Sequence, residues 1–458
     1  MRLHELTALE QAQALRGGQF SSEELVRHYF DRIDRYNPQL HAFSHVAKRS
    51  ALKQARNADK ALRKLEANEG PLFLGVPTGI KDLVPTRGQP TRLGSRAYRY
   101  MIGPSDGAVA RFIYDGGFVS LGKLTTSEFG VLPTTEPEIH PPTRNPWNQA
   151  RTPGGSSGGS GSAVAAGLLP IAHGSDGGGS VRIPSALCHL FGFKPSLSLL
   201  GNLHGKYNQL GLSVMGPLAH NVADAAGMLD VMARRPNRRS AGDSCLAACD
   251  QAVGPLRIAL LTESTIGDVD EEILDAVQNT ARLLEEMGHI IEPVRPADAN
   301  LDEFLPVWQF AVSGVPALSE RLLMPVTRWL RESGKKLPFE QVEQRRQTMA
   351  QKIHNQLDGF DLCLSPTVPI PAPLIGEFDD HSDPEQWFKK SAPLGAFTAP
   401  FNLTHGPAAS LPAGLTQSGL PIGVQVAGHP GADHLVLALS AQLEAALDWR
   451  STTCRLFH

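Results

Sequence analysis

The chain is short of cysteine, of aromatic residues and of long apolar runs, and each shortage narrows what it does. Five cysteines (Cys188, Cys245, Cys249, Cys363, Cys454) are scattered over 458 residues. An odd, dispersed set argues against a disulfide framework and suits a reducing compartment. Cys245 and Cys249 lie one helical turn apart, but no second pair or nearby histidine completes a zinc site, so no metal is expected. Aromatics are 6% of the chain, too few for base-stacking platforms, and a net charge of −3 gives no electrostatic case for nucleic acid. The longest near-apolar run, Ala163 to Ala172, is about half of what a membrane span needs. No apolar signal core follows Met1-Arg2-Leu3-His4-Glu5, so the expectation is a soluble, cytoplasmic protein without membrane contact.

What the chain has instead is a tract of small residues. It starts at Thr152-Pro153-Gly154-Gly155-Ser156-Ser157-Gly158-Gly159-Ser160-Gly161-Ser162 and ends at Gly174-Ser175-Asp176-Gly177-Gly178-Gly179-Ser180-Val181-Arg182-Ile183-Pro184-Ser185. Gly/Ser tracts are usually linkers. An apolar run inside this one, and charges at its far end, argue for a folded segment. Glycine loses the most entropy on folding, so a folded Gly-rich segment needs a reason such as close approach of the backbone to a ligand.

Around the tract the pattern alternates. Residues 5–16, 22–36 and 47–66 read as helices, with a capping box at Ser21 and Glu24 and a stop at Asn37-Pro38. The basic stripe Arg49, Lys53, Arg56, Lys60, Arg63 reads as a solvated helix face rather than a tRNA contact, since Asp59 and Glu66 interrupt it. Phe73–Ile80 and Phe118–Leu121 are strand-like, with a helix near 106–115 between them, which argues an α/β sheet with helices on its faces. The stretch Arg234-Arg235-Pro236-Asn237-Arg238-Arg239 reads as a surface loop. Further strands are expected at 258–261, 360–364, 408–413 and 421–426, and helices at 222–229, 270–287 and 433–447. No linker breaks the pattern, which suggests one domain over residues 1–458, with a helical insertion near 300–357.

Three motifs compete. Gly117 to Leu124 is nearly a P-loop, but Leu124 stands where a magnesium-binding hydroxyl is required, so Lys123 is expected to be structural or solvent-facing. Gly154-Gly155-Ser156-Ser157-Gly158 fits G-x-S-x-G, yet Asn145 to Pro153 is no strand and a nucleophile elbow needs one. The third reading joins Lys81, Ser156 and Ser180. A serine nucleophile needs a base, and a desolvated lysine supplies one as its neutral amine.

The blocks Gly79-Ile80-Lys81-Asp82, Gly154 to Ser160, Gly174 to Pro184, Leu121 to Phe129, Gly192-Phe193-Lys194-Pro195, Gly216-Pro217-Leu218-Ala219 and Gly419 to Gln425 together resemble the amidase signature family. They span about residues 20–445, with a signature core over 65–200. The resemblance implies a large mixed twisted β-sheet covered by helices on both faces. It also implies a Ser-Ser-Lys triad with a cis peptide at the middle serine. The 24-residue separation of the family's two serines selects Ser156 and Ser180. On this basis Ser180 is the nucleophile, Ser156 the proton relay and Lys81 the base. The oxyanion hole is assigned to the N–H groups of Gly177, Gly178, Gly179 and Ser180. Asp176 and Arg182 are expected to hold that loop as an ion pair, and Ser157 to hydrogen-bond near Lys81. Phe129 is the candidate substrate contact, with residues 300–357 as further lining. Gly177 and His189 depart from the residues usual in the family and bear on pocket shape.

The implied reaction is hydrolysis of a small-molecule carboxylic amide to acid and amine through an acyl-enzyme, without cofactor. The alternative within the family is the glutaminase subunit of a tRNA-dependent amidotransferase. From another class, a silent scaffold would have lost the triad. Dimers are common among relatives, which leaves a homodimer open; acyl specificity is not legible.

Overall fold

The computed structural model describes residues 2–66, 69–203, 205–234 and 244–458. Of the basic stretch 234–239, only Arg234 falls within them. The described residues form one sheet of eleven strands: β1 (Phe43–Val46), β2 (Pro77–Lys81), β3 (Val119–Leu124), β4 (Ile171–Asp176), β5 (Phe191–Lys194), β6 (Val214–Ala219), β7 (Arg257–Leu260), β8 (Ile290–Pro293), β9 (Leu362–Pro366), β10 (Ala408–Leu415) and β11 (Pro421–Gly428). Their spatial order is β1-β3-β2-β4-β6-β5-β10-β11-β9-β7-β8. β2 runs parallel to β3 and β4, and β7 parallel to β8 and β9; the other pairings are antiparallel.

Neighbouring residues along a strand point to opposite faces. Ile258, Leu362, Leu364, Ala409, Val424 and Val426 enter one apolar core, together with the helices Val222–Met232, Glu271–Glu286 and Asp433–Leu447. Their alternates Ala259, Cys363, Ala408 and Ala427 enter another, with Val307 and with Val342, Met349 and Ile353 of the Phe339–Gln356 helix. Both faces of the sheet are therefore covered, which explains strands that read as continuous apolar runs.

Some boundaries move. The second long helix runs Ser22–Leu40, past Asn37-Pro38. Asn37 closes the last turn by accepting the His41 N–H on its carbonyl and the Phe43 N–H on its side chain, while Leu40 is fully buried. The third helix is Lys48–Leu62, shorter than its basic pattern suggests. Lys123 does not face solvent: it is buried, 3.1 Å from the Asp82 carboxylate, and donates to the Val84 carbonyl. The Gly/Ser segment Gly158–Ala165 is a helix despite poor intrinsic propensity, because all eight of its residues are buried and packing decides. The chain then enters β4.

β2 and β4 are adjacent and parallel, with Gly79 opposite Ala172. Their carboxyl ends bring Lys81 and Asp176 to one rim of the sheet, where open α/β sheets place their ligands. The segment 300–357 holds the helices Leu301–Ser313, Pro325–Gly334 and Phe339–Gln356. Among the described residues, no helix is long and apolar enough to cross a membrane.

Candidate active site

Lys81 is the last residue of β2 and is completely buried. Its ammonium nitrogen lies 2.7 Å from Ser156 Oγ, 3.0 Å from Ser175 Oγ and 3.3 Å from the Ser175 carbonyl. Burial pushes its pKa down to about 7, against the opposing charge of Asp176. Near neutrality a large share of Lys81 is therefore free amine, able to accept a proton. Ser175 is not legible in the sequence as its second hydroxyl partner, because it sits in a tract where serine is common.

Ser156 follows a cis Gly155–Ser156 peptide bond. A Cβ at Gly155 would come 2.5 Å from the Thr134 carbonyl oxygen, so only glycine lets the two backbones pass. Thr135 Oγ1 donates to the Gly154 carbonyl at 2.8 Å and accepts the Gly158 N–H at 3.1 Å, gripping the turn on both sides. The Ser157 N–H donates to the Ser180 carbonyl at 3.2 Å, which ties the two serine segments together. The Ser157 hydroxyl donates to the Ser175 carbonyl at 3.3 Å and reaches Lys81 only through that residue.

Ser180 lies at the start of the turn leading into the Arg182–Leu187 helix, 8% exposed and facing a cavity. The loop before it is held from beneath. Arg182 donates to both oxygens of Asp176, at 2.9 and 2.8 Å, and both groups are fully buried. Asp176 also accepts the N–H groups of Gly179 (2.7 Å) and Val181 (3.2 Å) and the Asn402 amide (3.0 Å). Burial alone would raise the Asp176 carboxyl; the charge and hydrogen bonds of Arg182, with Lys194 and Asn402, more than reverse this and hold it well below the usual carboxylate range. The remaining Arg182 donors go to Thr398 O, Gln425 Oε1 and Asn402 Oδ1 at 2.7–2.8 Å. Sequence reasoning misses Asn402 and Thr398, because they lie more than 200 positions downstream in no motif.

The geometry corrects two assignments. Gly179 cannot serve the oxyanion hole, since its N–H is committed to Asp176 Oδ1. Gly177, Gly178 and Ser180 remain as the candidate donors. Phe129 does not line the cavity: it is buried at φ 51°, edge-on to Tyr98 and beneath the Arg331 guanidinium. Val131 and Leu132, two and three residues on, line it instead. His189 packs against Trp147 and the Trp449 carbonyl, also away from the cavity.

That cavity holds about 130 Å³ and runs from Gly178 and Ser180 along an apolar wall of Phe304, Trp308, Met349, Ile353, Phe397 and Phe401. The Trp308 ring stands 3.4 Å from where a Cβ on Gly177 would be and so roofs the loop. Phe310 and Phe339 pack on each other, and Trp329 on Phe388. Among the described residues no group of three His, Cys, Asp or Glu side chains could hold a metal ion.

The Amidase family model matches residues 24–437, and the chain belongs to that family, the amidase signature enzymes. It is 35% identical to a putative amidase of Synechocystis sp. over 96% of this chain and 88% of that one. The solved structure of 6-aminohexanoate cyclic dimer hydrolase superposes with a TM-score of 0.88 at 30% identity, covering 99% of both chains. A glutamyl-tRNA(Gln) amidotransferase component from Thermotoga maritima gives 0.74 at 29% identity, covering 95% of this chain and 93% of that one. The chain is an amide-hydrolysing enzyme.

Proposed function

We propose that hydrolysis proceeds through an acyl-enzyme on Ser180, with Ser156 as proton relay and Lys81 as base. The observation that carries this reading is the 2.7 Å contact between a buried lysine of lowered pKa and Ser156 Oγ. Lys81 takes the Ser156 proton as Ser156 takes that of Ser180, and Ser180 Oγ bonds to the amide carbonyl carbon. The oxyanion meets the N–H groups of Gly177, Gly178 and Ser180, each such donor being worth roughly 3–4 kcal/mol of barrier. Ser156 then returns a proton to the nitrogen as the C–N bond breaks, and water releases the acid by the same steps in reverse. Asp176 and Arg182 position the loop and touch no reacting atom.

Likeness to the amidotransferase component raises glutamine as a substrate. The cavity favours free-standing amide hydrolysis instead. Among the described residues that line it there is no lysine, arginine or histidine to hold the carboxylate of free glutamine.

Two measurements test the reading. A serine-directed fluorophosphonate should add once, at Ser180, by peptide mass spectrometry, and labelling should vanish in Ser180→Ala and slow greatly in Lys81→Met. A label on Ser156, or amide turnover surviving Ser180→Ala, would exclude it.

A further inference from the structure

We infer that the acyl arm of the preferred substrate is an apolar chain tipped by a cation, which Glu263 receives at the end of the cavity away from Ser180. This rests on the assignment of Ser180 as nucleophile and extends it to substrate class. Ser180 enters the cavity from the loop after β4, whereas Glu263 enters from the loop after β7, several strands away in the sheet order. Between them the walls are the hydrocarbon and aromatic surfaces of helices Leu301–Ser313 and Phe339–Gln356 and of residues 396–403. Such a wall gains from burying methylenes and penalises an uncompensated charge.

Glu263 is the single charged residue among the described residues that line this space. It forms no ion pair with any of them, although fifteen such pairs occur elsewhere. Other polar side chains that line the same cavity make bonds of their own. The Thr265 hydroxyl donates to the Ala299 carbonyl at 2.7 Å, Ser264 Oγ accepts the Ile266 N–H at 3.1 Å, and Asn300 Oδ1 accepts the Glu303 N–H at 3.0 Å. The lining is asymmetric in charge: Ser180 comes from the loop after β4, the carboxylate of Glu263 from the loop after β7, and no lysine, arginine or histidine is among the described lining residues. A neutral arm fits the walls, an ammonium tip gains a counter-charge, and a carboxylate tip meets repulsion. The 130 Å³ of space is close to the ~150 Å³ that admits a benzene ring, so the cavity takes an arm of modest bulk.

The test uses the purified full chain and primary amides of about four to eight carbons, each ending in methyl, ammonium or carboxylate. Ammonia release gives kcat/KM for each. The ammonium series should peak at one length and exceed the methyl series there by about fivefold, with the carboxylate series poorest. Glu263→Gln should erase the ammonium advantage, Glu263→Lys should invert it towards carboxylate, and both should leave the methyl series within about twofold. Glu263 is exposed and outside the catalytic machinery, so these variants should fold. An ammonium series no better than methyl, or an advantage that survives Glu263→Gln, overturns the inference. If Ser180 takes the fluorophosphonate label while the series rank otherwise, the arm alone is wrong. If no amide is turned over and Ser180 stays unlabelled, the nucleophile assignment falls and the inference with it.

Discussion

Two parts of the site are built on opposite principles. From Thr152 to Ser196 every residue is buried except Gly177 and Gly178, and Gly178 lines the cavity together with Ser180 and Ile183. This region works with backbone: small side chains let strands and turns approach, and the reacting groups are held by fixed hydrogen bonds. The wall from 300–357 works with side chains. Trp308, Met349 and Ile353 reach the cavity from two helices whose other faces are variously exposed. A Cβ at Gly155, Gly158, Gly159, Gly174 or Gly179 would come within 3 Å of a neighbour, so this backbone-built region tolerates little substitution there, whereas at Gly177 and Gly178 it would make ordinary contact with Trp308. A wall made of side chains can be recut residue by residue while the chemistry stays intact. On the proposed mechanism, the difference separates the reaction from its specificity within one cavity.

That separation can be broken experimentally. The largest effect is expected at the reacting groups: Ser180→Ala should lower kcat by on the order of 10⁵ for every amide tried, without reordering them. A ranking of amides that changed in this variant would mean that Ser180 also selects substrates. Next, removing one member of the buried ion pair, as in Arg182→Met, should destabilise the fold by about 3–5 kcal/mol in urea unfolding, because Asp176 is then left charged and buried. A loss below about 1 kcal/mol would show that Asn402 and the loop N–H groups hold the loop on their own.

The pH dependence sharpens the contrast further. In the proposed mechanism Lys81 acts as free amine, and its pKa is lowered to about 7, so kcat should fall roughly tenfold per unit as pH drops below that value and level off above it. The wall carries no group that should move this limb, so Trp308→Ala should share the wild-type profile. A limb displaced in that variant would couple the wall to the base. The smallest effect is on selectivity. Trp308→Ala should lower kcat/KM for bulky acyl amides about tenfold more than for acetamide, read from a matched substrate panel.

How far the molecule is legible in its sequence follows the same division. Lys81, Ser156 and Ser180 stand in blocks of fixed spacing, and the alternation of apolar runs announces the sheet. The Gly158–Ala165 helix is not settled by sequence, because its glycines and serines favour no element and only burial decides. Gly179 is misassigned from sequence, since a run of three glycines does not say which N–H turns back to Asp176. Phe129 is misassigned too: its neighbours in sequence line the cavity, but a left-handed turn sends its own ring into the core beside Tyr98.

The sequence by itself determined the kind of sheet and the family, and it supplied the residues of the proposed triad, because those depend on periodicity and on spacing within a few continuous segments. Tertiary structure decided the rest. The lowered pKa of Lys81 comes from desolvation, which no local window carries. The charge beneath the loop comes from Arg182 held by Asn402, Thr398 and Gln425, and the far end of the cavity from Glu263. Each is a product of segments some 80 to 240 positions apart, and only packing of the folded chain brings them within hydrogen-bonding reach or into one cavity.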